Sequence, residues 1–143
     1  MSSPTLVITD NVTELLLKII EFTQTRQKVL IQNINAMQTS GFVPQDLPVD
    51  EFSGQMRLAL TEHVLNQRLV LCDGAHVKFG ANGSFKAALI VDEQAKQLLE
   101  ENRDEYLRDQ ISKLLENSLN QRIATELLRQ RQADKECLGR SLN

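Results

Sequence analysis

Apolar residues recur every three or four positions in the first third of the chain, which is the spacing of one helix face. The pattern predicts an amphipathic helix over residues 11–38, begun by Asn11 and Glu14 at the spacing of a capping box. We expect Gly41 to end this helix, because glycine readily adopts the positive φ of a helix C-cap. The predicted packing positions on its apolar face are Leu15, Ile19, Phe22, Val29, Leu30 and Ile34.

Two polar residues, Arg26 and Asn33, interrupt this apolar face. In a coiled coil, a polar residue at such a position costs stability but fixes the register and the partner. Under this interpretation, replacing Asn33 with leucine raises the stability of the helical pair and impairs its correct assembly. The alternative is that Arg26 extends towards solvent along its aliphatic stem and that Asn33 lies at a hydrated edge.

Residues 42–91 form a central region of mixed character. Phe52, Met56, Leu60 and Val64 follow one another at four-residue spacing, which predicts a second, shorter helix over residues 49–67. The segment that follows is β-prone, and it contains Asp-Gly and Asn-Gly pairs that are typical of two-residue hairpin turns. We therefore expect a small three-stranded β-meander that packs against a helix. Its strands are predicted at residues 68–72, 75–79 and 84–91, with turns at residues 73–74 and 82–83.

The last third of the chain predicts a long helix over residues 92–131, capped by Asp92 and containing neither glycine nor proline. An unbroken helix of that length would be roughly 55–60 Å long, too long for a compact monomer. Either it breaks near residues 102–104, or the protein is elongated and offers its apolar face to a partner. Residues 132–143 are expected to be a flexible tail. The predicted packing positions are Leu114, Leu115, Leu119, Ile123, Leu127 and Leu128.

Together these elements predict a mainly α-helical fold in one elongated unit spanning residues 1–143. Because a turn-rich segment separates two long amphipathic helices, we expect the terminal helices to pair as an antiparallel coiled coil within one chain. Cysteines introduced at Ile19 and Leu119 would then form a cross-link within the subunit.

Composition narrows the functional classes. Leucine supplies 22 of 143 residues, whereas aromatic residues make up 4% and tryptophan is absent, which favours helix-on-helix packing. The net charge is −3 and no basic stripe is present, so nucleic-acid binding is not expected. No apolar run approaches the length of a transmembrane helix, and the N-terminal residues lack the pattern of a cleaved secretory signal.

The sequence contains no set of residues at the spacing expected of a catalytic or metal-binding site. His63 and His76 are the only histidines, and neither has a second ligand at metal-binding spacing. Cys72 and Cys137 are expected to be reduced thiols, since each lacks a partner at disulfide or zinc spacing. We therefore expect a protein that is not an enzyme and that carries no cofactor or metal.

The end of the first helix resembles the N-terminal signature of bacterial flagellar rod and hook proteins, in particular the proximal-rod proteins. That signature reads Asn-Ile-Ala-Asn, two free positions, Thr-Pro-Gly and an aromatic residue. This chain has Asn-Ile-Asn-Ala-Met-Gln-Thr-Ser-Gly-Phe, with matches at Asn33, Ile34, Thr39, Gly41 and Phe42. It departs from the signature at Asn35, Ala36 and Ser40.

Three further stretches extend the resemblance over most of the chain. The residues after the signature (Pro44 to Leu47, then Phe52) and the Asp73-Gly74 element with Val77 are similar to those of the proximal-rod proteins. Near the other end, Glu116-Asn117-Ser118-Leu119 and residues 124–128 resemble the family's C-terminal helix. An apparent insertion lies between Phe79 and Asp109.

The resemblance implies a structural subunit whose terminal helices pair and pack side by side with other copies in the periplasmic rod of the flagellar basal body. Its implied partners are further copies, neighbouring rod proteins and the flagellar export apparatus, which secretes such proteins without a cleaved signal. A different class of protein stays open: a cytoplasmic helical interaction protein, such as an export chaperone or adaptor.

Overall fold

Four helices and four short strands form the protein over residues 10–80 and 84–141, the residues that our computed structural model describes. The helices are α1 (Asn11–Asn35), α2 (Val49–Asn66), α3 (Glu93–Glu101) and α4 (Arg103–Ser141). The strands are β1 (Gln45–Asp46), β2 (Val77–Phe79), β3 (Phe85–Ala87) and β4 (Ile90–Val91). The prediction of a mainly helical fold with a small β component is confirmed.

The N-cap of helix α1 lies one residue earlier than predicted. Asp10 is the N-cap, and its Oδ1 accepts a hydrogen bond from the Thr13 amide at 2.7 Å. The side chain of Asn11 instead reaches α2, where its Nδ2 lies 3.2 Å from Nδ1 of His63. A carboxylate directly before the helix is therefore the group that caps it, and Asn11 ties the start of α1 to the end of α2.

The C-terminal end of α1 also differs from the prediction. The helix ends at Asn35, and two tight turns follow, closed by hydrogen bonds from Thr39 N to the Ala36 oxygen and from Phe42 N to the Thr39 oxygen. Gly41 has a φ of +77°, the positive value expected of it. However, it lies in the second turn and not at the helix cap, which is Ala36, whose amide donates to the Gln32 oxygen.

The main apolar core lies between α1 and α2. The rings of Phe22 and Phe52 stack with their centroids 4.0 Å apart, and Phe85 of β3 packs on Phe52 at 5.6 Å. The buried members of this core are Leu15, Phe22, Leu47, Phe52, Met56, Ala59 and Val77.

Helix α2 ends within one residue of its predicted end. Gln67, directly after the helix, adopts a left-handed conformation with a φ of 54° and serves as its C-cap.

The predicted three-stranded meander is wrong. Strands β2 and β3 pair antiparallel as a hairpin, whereas β4 pairs antiparallel with β1, which precedes α2. Residues 68–72 form no strand. Side chains of α2 bond the backbone at and beyond the end of this segment: Gln55 donates to the Cys72 oxygen, and Glu51 accepts from the His76 amide. The predicted turn at residues 82–83 lies outside the described residues.

The predicted C-terminal helix breaks at Asn102, which was one of the two alternatives. Asn102 is extended, with φ −152° and ψ 96°, and its Oδ1 accepts from the Glu105 amide at the start of α4. Asp92 caps α3 as expected, through the Ala95 amide. The predicted helix end at residue 131 is wrong, since α4 continues to Ser141.

Helices α1 and α4 pack together along most of α1. Asp10, at the start of α1, pairs with Arg131 near the far end of α4 at 2.6 Å. Farther along, the Thr23 carbonyl accepts from Asn117, and near the end of α1 Asn33 bonds Gln110. The start of α1 therefore lies beside the later part of α4, and the end of α1 lies beside its beginning.

Candidate assembly surfaces

Helix α4 presents a polar row of residues to the rest of the fold. Tyr106 and Gln110 are completely buried, and Asn117 and Ala124 are 2% and 3% exposed. The steps between them, of four, seven and seven residues, match a heptad repeat. We call these four residues the inner seam.

Asn33 of α1 is the most highly connected partner of the inner seam. Its Nδ2 donates to the Gln45 oxygen at 2.7 Å and to Gln110 Oε1 at 2.9 Å, and its Oδ1 accepts from the Gln45 amide at 3.2 Å. Tyr106 Oη donates to the backbone oxygen of Asn33 at 2.8 Å. Since Asn33 is buried and fully partnered, its interpretation as a hydrated edge residue is wrong.

Arg26 is likewise buried and not extended towards solvent. Its Nε and Nη2 each donate to one oxygen of Asp46 at 2.9 Å, which is the bidentate geometry of a strong ion pair. Asp46 Oδ1 also accepts from the Leu47 amide at 2.7 Å. The pair therefore fixes β1 against α1, and removing either partner would leave an uncompensated buried charge.

Asn117 completes the polar contact between the two long helices. Its Nδ2 donates to the backbone oxygen of Thr23 at 2.8 Å, across the α1–α4 interface. Sequence reasoning missed Tyr106, Gln110 and Asn117 as contact residues because it searched for aliphatic positions. Their heptad spacing was the available signal.

The packing residues predicted on α1 face the interior to different degrees. Leu15, Phe22 and Leu30 are buried. Three others, namely Ile19, Val29 and Ile34, are half-buried. Gly41 is exposed in the turn after the helix.

The packing residues predicted on α4 do not face α1 as a set. Leu114 and Leu128 are half-buried, but Leu115 and Leu119 are 67% and 57% exposed, and Ile123 and Leu127 are also exposed. Within the subunit, the six residues therefore do not form one face towards α1. Leu115 and Leu119 lie on the side of the helix opposite the inner seam, and from there the row of four-residue steps winds round the helix towards Ile123 and Leu127.

With Ile111, these exposed side chains form a continuous aliphatic row. We call this row the outer stripe; it consists of Ile111, Leu115, Leu119, Ile123 and Leu127. At Ile123 and Leu127 it borders an open groove of about 350 Å³ between α1, α2 and α4. The groove is walled on its other sides by Leu16, Phe52 and Met56.

Two ionisable groups at the contact between α1 and α4, Asp10 and Tyr106, form structural hydrogen bonds and have shifted pKa values. Burial alone would raise the pKa of Asp10, but hydrogen bonds from the Thr13 amide, Arg131 and Lys135 lower it well below its usual range. Burial, followed by the nearby charges of Asp92 and Asp109, raises the pKa of Tyr106 to about 12. Asp10 is charged and Tyr106 neutral at neutral pH, the forms that their hydrogen bonds need, and the shifts extend these forms to more acid and more alkaline pH respectively.

The histidines and cysteines, which were considered for catalysis or metal binding, do not form a cluster. His63 contacts Asn11, and His76 lies 3.5 Å from Glu51, while Cys72 and Cys137 are both exposed. Within residues 10–80 and 84–141, no group of three histidine, cysteine, aspartate or glutamate residues is placed to hold a metal ion. In the same part of the chain, no helix combines the length and apolar character needed to span a membrane.

Comparisons of this chain with protein-family models, with curated proteins and with solved structures give no match.

Proposed function

We propose that this chain is a structural subunit of the bacterial flagellar basal-body rod that assembles through its two terminal helices. One observation carries the proposal. The two stretches that resemble the rod proteins lie near opposite ends of the sequence, and each contributes a buried asparagine to the α1–α4 contact. Asn33 bonds Gln110, and Asn117 bonds the Thr23 carbonyl.

Within the subunit, we propose that α1 and α4 form an antiparallel coiled coil. The heptad spacing of the inner seam supports this pairing, as do the steps of three, four and seven residues between Ile19, Phe22, Arg26 and Asn33 on α1. Buried amides tolerate only the alignment that pairs them, so a slip of one turn would leave several polar groups unsatisfied. The polar contacts would therefore act as register elements.

Between subunits, the outer stripe is the proposed assembly surface. Monomeric proteins rarely leave a continuous aliphatic row on a helix open to water, so such a row favours a protein partner. The proposed partners are other copies and neighbouring rod proteins in the periplasm, reached through the flagellar export apparatus without a cleaved signal. In this role the protein is not an enzyme and needs no cofactor.

Locating the protein in the cell tests this proposal. An epitope-tagged copy should restore motility to a deletion strain and should co-purify with detergent-extracted basal bodies. Leu119→Glu should abolish both effects, whereas Ser118→Glu, one position away on the same helix, should preserve them. Recovery of the functional tagged protein only from the cytoplasm would contradict the rod assignment and favour an export chaperone or adaptor.

A further inference from the structure

The outer stripe of α4 lies between two exposed charges of opposite sign. Glu116 is three residues before Leu119, and Arg122 is three residues after it. At 3.6 residues per turn, these positions fall on opposite sides of the aliphatic row, one on each flank. Within the described residues, neither side chain takes part in an ion pair.

We propose that the outer stripe binds the outer stripe of a second copy of this chain, in a two-fold symmetric contact that pairs Glu116 of each copy with Arg122 of the other. The inference goes beyond the proposed function and does not rest on it, because a two-fold contact closes at two copies and describes the subunit in solution, outside a helical assembly.

The spacing of the stripe selects the packing geometry. Residues four positions apart form the ridge that two helices interdigitate when they cross at about −50°, the commonest class of helix packing. In that crossing, the ridges of both helices run parallel to each other. A two-fold axis can then run along the ridge or perpendicular to it.

The flanking charges distinguish these two axes. An axis along the ridge exchanges the two flanks, so that Glu116 of each copy meets Arg122 of the other, twice in the dimer. A perpendicular axis keeps each residue on its own flank, so that glutamate meets glutamate and arginine meets arginine. Because like charges in direct opposition are unfavourable, charge complementarity selects the first arrangement.

The exposed area of the outer stripe determines how tightly the dimer is expected to bind. Five half-exposed aliphatic side chains expose on the order of 400 Å² per copy, the size of patch that marks an interaction site. Two such patches amount to roughly 800 Å², which is typical of weak and transient complexes and below the size of permanent ones. The dimer should therefore form reversibly as the concentration rises.

Sedimentation equilibrium of the full chain under reducing conditions tests the contact. The weight-average mass should rise from the 16.2 kDa monomer towards twice that value with concentration. Leu119→Glu should weaken self-association at least tenfold. Val64→Glu on α2, where the native side chain is 69% exposed, is the matched control and should leave it unchanged.

Charge reversal tests the orientation separately. Glu116→Arg alone should weaken the dimer, and adding Arg122→Glu to it should restore the original dissociation constant. If the double variant stays as weak as the single one, the proposed orientation is wrong. A chain that stays monomeric at millimolar concentration, with unchanged circular dichroism, overturns the dimer, whereas the rod assignment is judged independently by co-purification with basal bodies.

Discussion

The two faces of α4 differ in the opposite sense from an ordinary surface helix. The buried residues of the face that packs on α1 are Tyr106, Gln110, Asn117 and Ala124, whereas the aliphatic outer stripe is exposed to solvent. An ordinary surface helix buries its apolar side and exposes its polar side. Here hydrogen bonds define the contact within the subunit, and apolar area is left available outside it.

The inner face of α4 therefore determines how the helices align, whereas the outer stripe supplies free energy for association. Polar groups in the α1–α4 contact restrict the alignment of the helices, since each displaced amide would lose its partner. Aliphatic side chains on the outer stripe tolerate many alignments and gain free energy from any burial. Substitutions on the inner side should therefore destabilise the subunit, whereas those on the outer side should affect only its association.

The largest loss of stability is expected from breaking the buried ion pair between α1 and β1. Asp46→Ala removes the carboxylate that binds Arg26 through two hydrogen bonds and leaves a buried guanidinium without a counter-ion. The free energy of unfolding should fall by about 3–5 kcal/mol. Urea denaturation followed by circular dichroism measures the loss. Glu62→Ala, which breaks the exposed pair with Arg68, should leave the midpoint unchanged.

Asn33→Leu should produce the next largest loss. The sequence alone suggested a gain in stability, but the structure gives this amide three hydrogen bonds that leucine cannot replace. Unpaired groups on Gln45 and Gln110 should lower the free energy of unfolding by about 2–3 kcal/mol. Asn35→Leu, at an exposed position one half-turn away, is the control. A raised melting temperature for Asn33→Leu would show that the amide network contributes no stability.

A smaller loss is expected from Tyr106→Phe, which deletes only the hydroxyl that donates to the Asn33 oxygen. The expected cost is about 1 kcal/mol, because the ring remains buried and the acceptor is a neutral carbonyl. The native protein should also lose stability as the pH rises from about 10 towards 12, since folding raises the pKa of this phenol. Tyr106→Phe should remove that part of the alkaline dependence, which a melting series across this pH range measures.

Asp10 should contribute a small dependence at acid pH. Its pKa is lower in the folded protein than in the unfolded chain, so its stabilisation is present above about pH 4 and is lost as the pH falls below that value. Solvent screens its pairs with Arg131 and Lys135, which keeps the effect modest. Asp10→Asn preserves the N-cap and removes the charge. The melting temperature of this variant should be lower than that of the wild type at pH 7, and the two temperatures should converge at acid pH.

The helices were predictable because periodicity and capping are local signals. Residues 49–67 and the cap at Asp92 were placed correctly on that basis. The β-region was not predictable, because β1 and β4 are distant in sequence and residues 68–72 find their partners on α2. The residues of α4 that contact α1 were not predictable, because leucine spacing marks an apolar row without showing what covers it, and polar residues such as Gln110 can be buried when partnered.

The most direct test of the contrast between the two faces is the stability of Leu119→Glu as a monomer. At concentrations too low for association, its free energy of unfolding should equal that of the wild type within about 0.5 kcal/mol, because Leu119 is 57% exposed and contacts solvent on the side opposite α1. A loss of about 2 kcal/mol or more would contradict the account, since it would show that the outer stripe is packed within the subunit.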